Sequence, residues 1–322
     1  MHARHLLALG LVGGLALLPR TAAAQTFPSQ DIHFIVGFAA GSGPDVIARY
    51  VGEKLRAKLD RPVIVENKVG AVGNIASEYV ARAKPDGHTI YITGGTALAS
   101  SGHLFKNPPV DVSTAFDVVA TLSKQATLLV VGANSPAKTL PDLTKILKEK
   151  GDKGSYGTAF PSARVLGALY KKAAGLQAIE VQYRTSKDWL NDLNKGDVDF
   201  AFIDAVSGVG LAKQGAIRIL AGTTAERTAS LPDVPTFLEG GVSISMPAWW
   251  AAFAPAGLPR PVLEKLHDEI SAVVSTDDAK KFFNNLGNDP WVTSLDEAKA
   301  QYLKEYKDWG VYVREANIEP QG

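Results

Sequence analysis

The sequence predicts an α/β protein whose chain forms two lobes. Apolar runs of strand length alternate with segments in which apolar residues recur every three to four positions, a pattern typical of strand–helix–strand units. Such units form parallel sheets that helices cover. The alternation fills an N-terminal section, starts again in a middle section and ends in a return to helices. The 322 residues suffice for two domains of roughly 100–200 residues each.

Residues 1–24 have the features of a secretory signal peptide. Arg4 precedes the apolar run 6–18, and alanines at 22–24 form an A-x-A cleavage site before Gln25. A membrane anchor is the alternative, but the run is shorter than the roughly 20 residues that span a bilayer. We therefore expect cleavage near Ala24/Gln25 and export of the product.

Charge and cysteine content exclude several classes of function. The leader contains two of the 34 basic residues and none of the 33 acidic ones, so the remaining chain is nearly neutral. This balance argues against a nucleic-acid partner, which would need a basic face. The sequence has no cysteine. Disulfides, a thiolate nucleophile and cysteine metal ligands are therefore excluded.

The elements follow in order from hydrophobic periodicity. Residues 32–38 form a buried strand, and apolar residues from Val46 to Leu59 recur on one helical face. Pro44 suits the first helical position, where its missing N–H costs no hydrogen bond, and Gly43 can cap the helix. The pattern continues with strands at 62–66 and 88–92 and a helix at 75–83.

The middle section begins near Thr127 and repeats the alternation. Its first helix begins at Ser135 or Thr139, a second follows the turn at 158–162, and a third is expected at 186–196. The predicted strands of this section are 127–133, 155–157, 179–184, 198–204 and 216–223.

The C-terminal section returns to the first lobe. A strand-like segment at 245–256 precedes a helix at 260–274 with one apolar face, and a long helix at 295–316 follows. The chain therefore crosses between the lobes twice. The expected division is lobe 1 at 25–126 and 233–322, and lobe 2 at 127–232.

Four turns that follow predicted strands are rich in small residues: 38–45, 93–96, 158–162 and 204–208. Ligands of open α/β sheets bind outside the carboxyl ends of the strands, where backbone N–H groups and the positive end of a helix favour an anion. The first turn lacks the Lys-Ser/Thr of a Walker A loop and the last glycine of G-x-G-x-x-G. We expect the four turns to surround one cleft. The alternative for the first turn is a tight turn without a ligand.

Two arginines are the charged candidates for carboxylate recognition. Arg164 lies in the first turn of a predicted helix, an unfavourable end for a cation unless an anion is near. Arg184 ends a strand. Either guanidinium could bind a carboxylate through two hydrogen bonds. The alternatives are an exposed arginine or a structural pair with Asp188 or Asp204.

Catalysis and metal binding have little support in the sequence. No G-x-S-x-G is present, and the four histidines beyond the leader lie far apart without a metal-binding spacing. Asp197 and Asp199 flank the start of a strand, where we expect solvent, while Asp204 could belong to a ligand loop or cap a helix. We expect no catalytic residue, no metal and no cofactor, and thus a binding protein rather than an enzyme.

Four segments are distinctive: FIVGFAAGSGPDVIARYVGEKL, RPVIVENKVGAVGNIASEYVARAKPDGHTIYI, ILAGTTAERTASLPDVPTFLEGG and WWAAFAPAGLPRPVLEKLHDEI. In this order they resemble segments of the Bug family, the extracytoplasmic solute receptors of tripartite tricarboxylate transporters. The resemblance implies a type II periplasmic-binding-protein fold, in which two lobes close like a flytrap on a small carboxylate without chemistry. It implies a monomer that works with integral membrane transporter subunits.

The resemblance also implies ligand positions. The solute would lie between the first turn and its counterpart in the second lobe, held by backbone groups, hydroxyls and bridging waters. Together with Arg184, which is chosen for its charge, the expected ligand-binding residues are Phe38, Ala39, Ala40, Gly41, Ser42, Gly43, Asp45, Gly94, Thr96, Gly157, Thr158, Ala159, Phe160, Ser162, Arg164 and Asp204.

The sequence departs from the family pattern in both main turns. Gly43-Pro44-Asp45 replaces the common Gly-Thr-Asp and loses a hydroxyl. The short segment TAFPSARV replaces a longer Gly/Ser segment, so that Arg164 stands where a histidine is usual. Phe160 and Arg164 together would suit a ligand with an apolar or aromatic body and a carboxylate.

Two further functions stay open at this point. A ligand-sensing adaptor for a membrane sensor kinase would share the fold and the ligand. A secreted hydrolase would use Asp204 or a serine, and the absent nucleophile elbow weighs against it. The solute is open between a dicarboxylate and an aromatic carboxylate.

Overall fold

The computed structural model of the chain describes residues 27–321, so the predicted signal peptide lies outside the described residues. The strands are β1 (Ile32–Val36), β2 (Val63–Asn67), β3 (Thr89–Gly94), β4 (Phe116–Gln125), β5 (Thr127–Gly132), β6 (Ser155–Thr158), β7 (Ile179–Gln182), β8 (Phe200–Asp204), β9 (Ile217–Gly222), β10 (Ala248–Pro255) and β11 (Asn288–Pro290).

Ten α-helices lie within residues 27–321. They are α1 (Gly43–Leu59), α2 (Asn74–Ala81), α3 (Gly95–Ser101), α4 (Leu140–Lys150), α5 (Pro161–Ala174), α6 (Ser186–Lys195), α7 (Ala205–Lys213), α8 (Arg260–Val274), α9 (Asp277–Asn285) and α10 (Leu295–Glu315). In this part of the chain none of them has the length and apolar character needed to cross a membrane.

The strands form two sheets. The six-stranded sheet has the order β11-β4-β10-β3-β1-β2, and the five-stranded sheet has the order β7-β6-β8-β5-β9. Strands β2, β1 and β3 run parallel, as do β7, β6 and β8. The α/β class predicted from the alternation is thus confirmed.

The prediction of parallel sheets is confirmed only in part, because each sheet also contains antiparallel pairs. Strand β10 runs antiparallel to β3 and β4, and β5 runs antiparallel to β8 and β9. Both β5 and β10 are reached from the other sheet rather than through a strand–helix–strand crossover. Nothing in their connection therefore forces a parallel direction.

The chain passes between the sheets twice. Only Ala126 separates β4 in the first sheet from β5 in the second. On the return, Phe237 stacks on Phe202 of β8 with ring centroids 6.0 Å apart, and the Met246 N–H donates to the Thr223 carbonyl. The two-lobe division stays a prediction, and these contacts favour a second boundary near residue 247 rather than 233.

Helices cover both faces of each sheet. In the first sheet, α1 and α8 pack on one face through Ile47, Val51 and Leu266, which have no exposed surface. The opposite face packs against α3 and α10. In the second sheet, Tyr156 and Tyr170 pack around Phe200, and Trp189 of α6 is fully buried on the other face.

Several elements were not predicted. Helices α3 and α7 start directly after β3 and β8 and consist mostly of Gly, Ala, Ser and Val, which give weak helix propensity and no clear apolar period. Tertiary packing decides their conformation. Strand β4 was also missed, because it is buried on both faces and lacks the alternation of a half-buried strand.

Candidate functional site

Each predicted turn lies at the carboxyl end of a parallel strand, immediately before a helix. The turns after β1 and β6 lead into α1 and α5, while β3 and β8 pass directly into α3 and α7. Across the lobes, α1 contacts α7 and α3 contacts α5. The helices that follow the turns thus contact each other across the lobes in two pairs, and a single cleft lined by the four turns stays a prediction.

Gly43 and Asp204 form the closest approach between the first and fourth turns. A β-carbon placed on Gly43 would lie 2.3 Å from Oδ1 of Asp204. Real β-carbons do not come so near another atom, so the absent side chain permits this contact.

Asp204 caps α7, which was one of its two expected roles. Its Oδ1 accepts a hydrogen bond from the Ser207 N–H at 2.9 Å. The residue keeps part of its surface exposed, but α1 and α7 enclose the carboxyl. Burial raises the pKa of Asp204, although the hydrogen bonds from Ser207 act in the opposite direction.

Asp45 braces the first turn and is not free for a ligand. Its carboxylate accepts the Gly41 N–H at 2.8 Å, two bonds from Arg49 at 2.9 and 3.0 Å and one from Asn67 at 2.9 Å. Burial alone would raise the pKa of Asp45, but the bonds from Arg49, Gly41 and Asn67 outweigh it and lower the pKa. These four hydrogen bonds hold the turn in place, and they do not support the expected role of Asp45 as a ligand contact.

Ser42 offers a free hydroxyl beside this braced turn. It precedes α1 as the cap residue, yet its side chain makes no capping bond. Its Oγ is buried and has no hydrogen-bond partner within residues 27–321. Buried polar atoms are nearly always paired, so this oxygen is a candidate contact for a solute. Ala40 and Gly41 of the same turn are exposed, and Phe38 and Ala39 are half-buried.

Thr96 points its hydroxyl into the first lobe. Its Oγ1 donates to Oε1 of buried Glu305 at 2.7 Å, and Nε1 of Trp309 donates to the same oxygen at 3.2 Å. Trp249 donates its Nε1 to the other oxygen. Burial raises the pKa of Glu305, although these donors act in the opposite direction. The expected role of the Thr96 hydroxyl as a ligand donor is therefore not supported by this geometry, while Gly94 beside it is buried.

Arg164 pairs with Glu180, which the sequence interpretation missed. Its Nε lies 3.1 Å from Oε1 of Glu180, and the Thr158 hydroxyl donates to the same oxygen at 2.7 Å. The two partners considered earlier, Asp188 and Asp204, cap helices instead. Glu180 of β7 pairs with Tyr156 of β6. The sequence does not give this strand register, so the pair of Arg164 and Glu180 could not be predicted from it.

The other residues of the second lobe that were expected to bind the ligand differ in their exposure to solvent. Phe160 is half-buried against the core and precedes α5, and Arg184 is exposed. Asp199, expected in solvent, is instead paired with Lys150 and has a side chain only 11% exposed. The remaining members of the turn are buried: Gly157, Thr158, Ala159 and Ser162.

A small cavity opens beside the first turn. Its volume is only about 10 Å³, and it is lined by Phe38, Asn74, Ser77, Thr93 and neighbours from α3. Such a space holds about one water molecule. The sequence interpretation did not include Asn74 or the preceding loop. Four successive residues there, 70–73, have positive φ angles, and the glycines at both ends of the loop were the only available signal.

A larger cavity of about 340 Å³ lies elsewhere. It is bounded by Leu169 and Lys172 of α5, residues 243–246 and Tyr312 of α10. None of the turn residues expected from the sequence belongs to its lining within the described chain. We place the candidate site at the turns, because the start of α1 in one lobe lies against the start of α7 in the other there.

The histidines occupy four separate structural contexts. His33 bonds to Glu66, His88 to Asp86, His103 to a carbonyl of α10 and His267 to a carbonyl of β4. Over residues 27–321 the side chains form no cluster of three or more His, Asp or Glu that could hold a metal ion.

Comparison with known proteins identifies the family. Residues 47–318 match the family described as the tripartite tricarboxylate transporter family receptor. A UPF0065 protein of Bordetella pertussis is 31% identical over 310 residues, which cover 95% of this chain and 96% of that protein.

Two solved structures are similar over nearly the whole chain. The periplasmic binding protein BugD has 26% identity and a TM-score of 0.84, with coverage of 92% of this chain and all of that one. The R. palustris protein Rpa4515 with adipate has 26% identity and a TM-score of 0.87, with coverage of 91% and 99%. The two-lobe periplasmic-binding-protein fold and the resemblance to the Bug family are both confirmed. The chain belongs to the family of tripartite tricarboxylate transporter receptors, the Bug solute-binding proteins.

Proposed function

We propose that this protein is a periplasmic receptor that captures a small carboxylate between its lobes and delivers it to the membrane subunits of a tripartite tricarboxylate transporter. The observation that carries the proposal is the contact between the start of α1 and the start of α7, which belong to different lobes, next to the Ser42 hydroxyl, which has no partner within residues 27–321. Helix starts favour an anion. The similar receptor Rpa4515, solved with adipate, supports a carboxylate.

Neutral groups would supply much of the binding. The carboxylate of Asp45 engages Arg49, and that of Glu180 engages Arg164. Backbone N–H groups and the Ser42 hydroxyl are then the hydrogen-bond donors at the turns, and the helix dipoles also favour an anion there. Exposed Arg184 is a further candidate for binding the solute at the rim. Closure of the lobes would exclude water and strengthen each of these interactions.

A thermal-shift screen with mono-, di- and aromatic carboxylates tests the ligand class, followed by calorimetry with the best acid. We expect at least one carboxylate to raise the melting temperature, since a ligand that binds only the folded state stabilises it. If sugars or cations stabilise the protein and no carboxylate does, the proposal is wrong.

Ser42→Ala tests the site itself. Loss of one hydrogen bond to a charged group should weaken binding about 10- to 100-fold, because such a bond contributes roughly 1.5–3 kcal/mol. Ser271→Ala is the matched control, since the Ser271 hydroxyl of α8 is also buried and unpartnered within residues 27–321. Equal affinities of the two variants would contradict the placement.

Delivery to a membrane transporter needs a cellular test. Deletion of the receptor should abolish uptake of the identified acid, and expression of the chain should restore it. Uptake that persists unchanged in the deletion strain would refute the transport role and favour a role in sensing.

A further inference from the structure

Thr223 lies where the two crossings between the lobes meet, and its side chain is fully buried. It directly follows β9 of the second sheet. Its Oγ1 accepts a hydrogen bond from the Thr127 N–H at 3.0 Å and donates one to the Met246 carbonyl at 2.8 Å. Thr127 comes directly after the short crossing at Ala126, and Met246 lies two residues before β10 at the end of the return segment. One hydroxyl therefore joins both crossings.

The hydroxyl takes the place of a backbone carbonyl in the second sheet. Leu128 of β5 pairs with Gly222 of β9, so the antiparallel register places Thr127 opposite Thr223. Opposite residues of such a ladder can exchange two backbone bonds, but these two form only one, from the Thr223 N–H to the Thr127 carbonyl at 3.0 Å. The Thr223 carbonyl is left free for the Met246 N–H, which donates to it at 2.6 Å. The side chain thus allows the return segment to bind at the end of β9.

Both hydrogen bonds of the hydroxyl lie out of contact with water. Thr127 and Met246 are buried together with Thr223. A threonine hydroxyl has one proton to donate, which here goes to Met246, while an oxygen lone pair accepts from Thr127. Removal of the hydroxyl would leave a backbone N–H and a carbonyl unpaired in the interior, and such groups are costly to leave without partners.

The crossings are also connected to the candidate site. Thr127 pairs with Asp204 in the register of β5 and β8, and Asp204 caps α7 beside Gly43. Gln125, the last residue of β4, is 3% exposed and accepts the Ala205 N–H at 2.9 Å through its Oε1. Since Ala205 is the first residue of α7, a change in the crossings would move the helix start that faces the first lobe.

We propose that Thr223 is a positioning residue for solute capture, because its hydroxyl holds the two crossings together so that the lobes rotate about one axis and close in one arrangement. The inference rests on the proposed function, since capture between the lobes requires this closure. Without the hydroxyl, the return segment is held less firmly against the first crossing, and the lobes take a wider range of angles.

Distances between the lobes test this proposal without any ligand. The sequence has no cysteine, so Glu53→Cys on α1 and Lys148→Cys on α4, both exposed, take spin labels at these two positions only. Thr223→Val keeps the branched shape of the side chain and removes the hydroxyl. We expect double electron–electron resonance to give a broader distance distribution for Thr223→Val than for the labelled protein with Thr223. An unchanged distribution overturns the inference.

Calorimetry with succinate, adipate and benzoate gives the second readout, taken from the acid that binds the wild type most tightly. The apparent Kd increases as the binding-competent arrangement becomes rarer, and we expect Thr223→Val to weaken binding at least about fivefold.

Thr144→Val is the matched control for the loss of a threonine hydroxyl. The Thr144 hydroxyl also has two partners, the Leu140 carbonyl at 2.9 Å and the Tyr170 hydroxyl at 2.8 Å, and both belong to helices of the second lobe. Thr144→Val should lower the melting temperature but leave the Kd and the distance distribution unchanged. An equal loss of affinity in Thr144→Val and Thr223→Val would show that reduced stability, and not the joining of the crossings, weakens binding.

Thr223→Ser keeps the hydroxyl and should retain the narrow distribution and the wild-type Kd. Melting temperatures show whether each variant is folded. If Thr223→Val is not, Thr223→Ala replaces it and is compared with Thr223→Ser, since these two variants differ only in the hydroxyl. If no acid binds the wild type, the proposed function fails, and the distances without ligand still decide the inference. If the wild type binds an acid and the variant without the hydroxyl binds it equally well, the inference is wrong while carboxylate binding stands.

Discussion

Gly43 at the start of α1 lies directly against the carboxyl group of Asp204 at the start of α7, and the contact leaves no room for a β-carbon. Helix α1 packs on the first sheet and α7 on the second, so this contact shows how closely the two lobes approach each other. It joins the positive end of one helix to the acidic cap of another.

Gly43→Ala should keep the lobes apart. The new methyl group would lie 2.3 Å from Oδ1 of Asp204, and the φ of Gly43 is not positive, so the backbone itself tolerates alanine. We expect carboxylate affinity to fall at least about tenfold and the radius of gyration with ligand to exceed that of the wild type in X-ray scattering.

Gly210→Ala is the control for that experiment, because a β-carbon on Gly210 of α7 meets nothing within 4 Å. Gly210→Ala should leave the carboxylate affinity and the radius of gyration with ligand unchanged. Wild-type affinity in Gly43→Ala would show that closure does not use this contact.

Asp204→Asn should make the folded state more stable at neutral pH. Because the pKa of Asp204 is raised on folding, the folded state holds a proton that the unfolded state releases between pH 3.8 and the folded pKa. The free energy of unfolding therefore decreases as pH rises through this range. Asparagine still caps the helix, so the free energy of unfolding of Asp204→Asn should decrease less than that of the wild type over this pH range. Urea denaturation between about pH 3.5 and 8 measures it, and an unchanged slope would contradict the assignment.

Asp45→Asn should destabilise the fold and weaken ligand binding. The side chain is 3% exposed and pairs with Arg49, and loss of hydrogen bonds to a buried charged group costs about 1.5–3 kcal/mol. Since folding lowers the pKa of Asp45 from 3.8, its contribution is present above that value and is lost as pH falls through the folded pKa.

Chemical denaturation at about pH 7 and about pH 3 separates these effects. The difference between wild type and Asp45→Asn should be smaller at the acidic pH than at neutral pH. Asp278→Asn removes an exposed carboxylate that pairs with Lys54 and should cost less than about 1 kcal/mol. A similar small cost for Asp45→Asn would refute its bracing role.

Glu180→Gln should tighten carboxylate binding. It removes the negative charge that engages Arg164 and leaves that guanidinium available to an anion at the second-lobe turn. We expect a several-fold lower Kd by calorimetry at low salt, and Arg164→Ala added to Glu180→Gln should abolish the gain. Glu239→Gln, which breaks an exposed pair with Arg227, should not change the Kd. If Glu180→Gln binds no better, Arg164 has only a structural role.

Local sequence patterns predicted much of the fold. The apolar faces of α1 and α8 and the buried runs of β1, β3 and β8 follow directly from periodicity. The predicted start of α1 was one residue late, because the helix begins at Gly43 and Ser42 is its cap residue. Helices α3 and α7 were missed because residues such as Gly95 and Gly208 weaken the local signal, and their conformation is set by the sheets on which they pack.

The candidate site was less accessible to sequence reasoning. The turns could be located, because each follows an apolar strand. Partners distant in sequence could not be predicted. The pairing of Arg164 with Glu180 depends on strand register, and Thr96 bonds to Glu305, which lies 209 residues away in the sequence.

The single residue between β4 and β5 sets a limit on how the receptor can open. Ala126 is buried and joins two strands that are each bonded into a different sheet, so the lobes cannot slide apart along this connection. Only torsion about a few backbone bonds remains, together with the longer return at 223–247. Opening should therefore be a rotation about an axis that passes near Ala126, with the displacement growing with distance from it. Solute entry would then depend on the angle of this rotation and not on the length of a flexible linker.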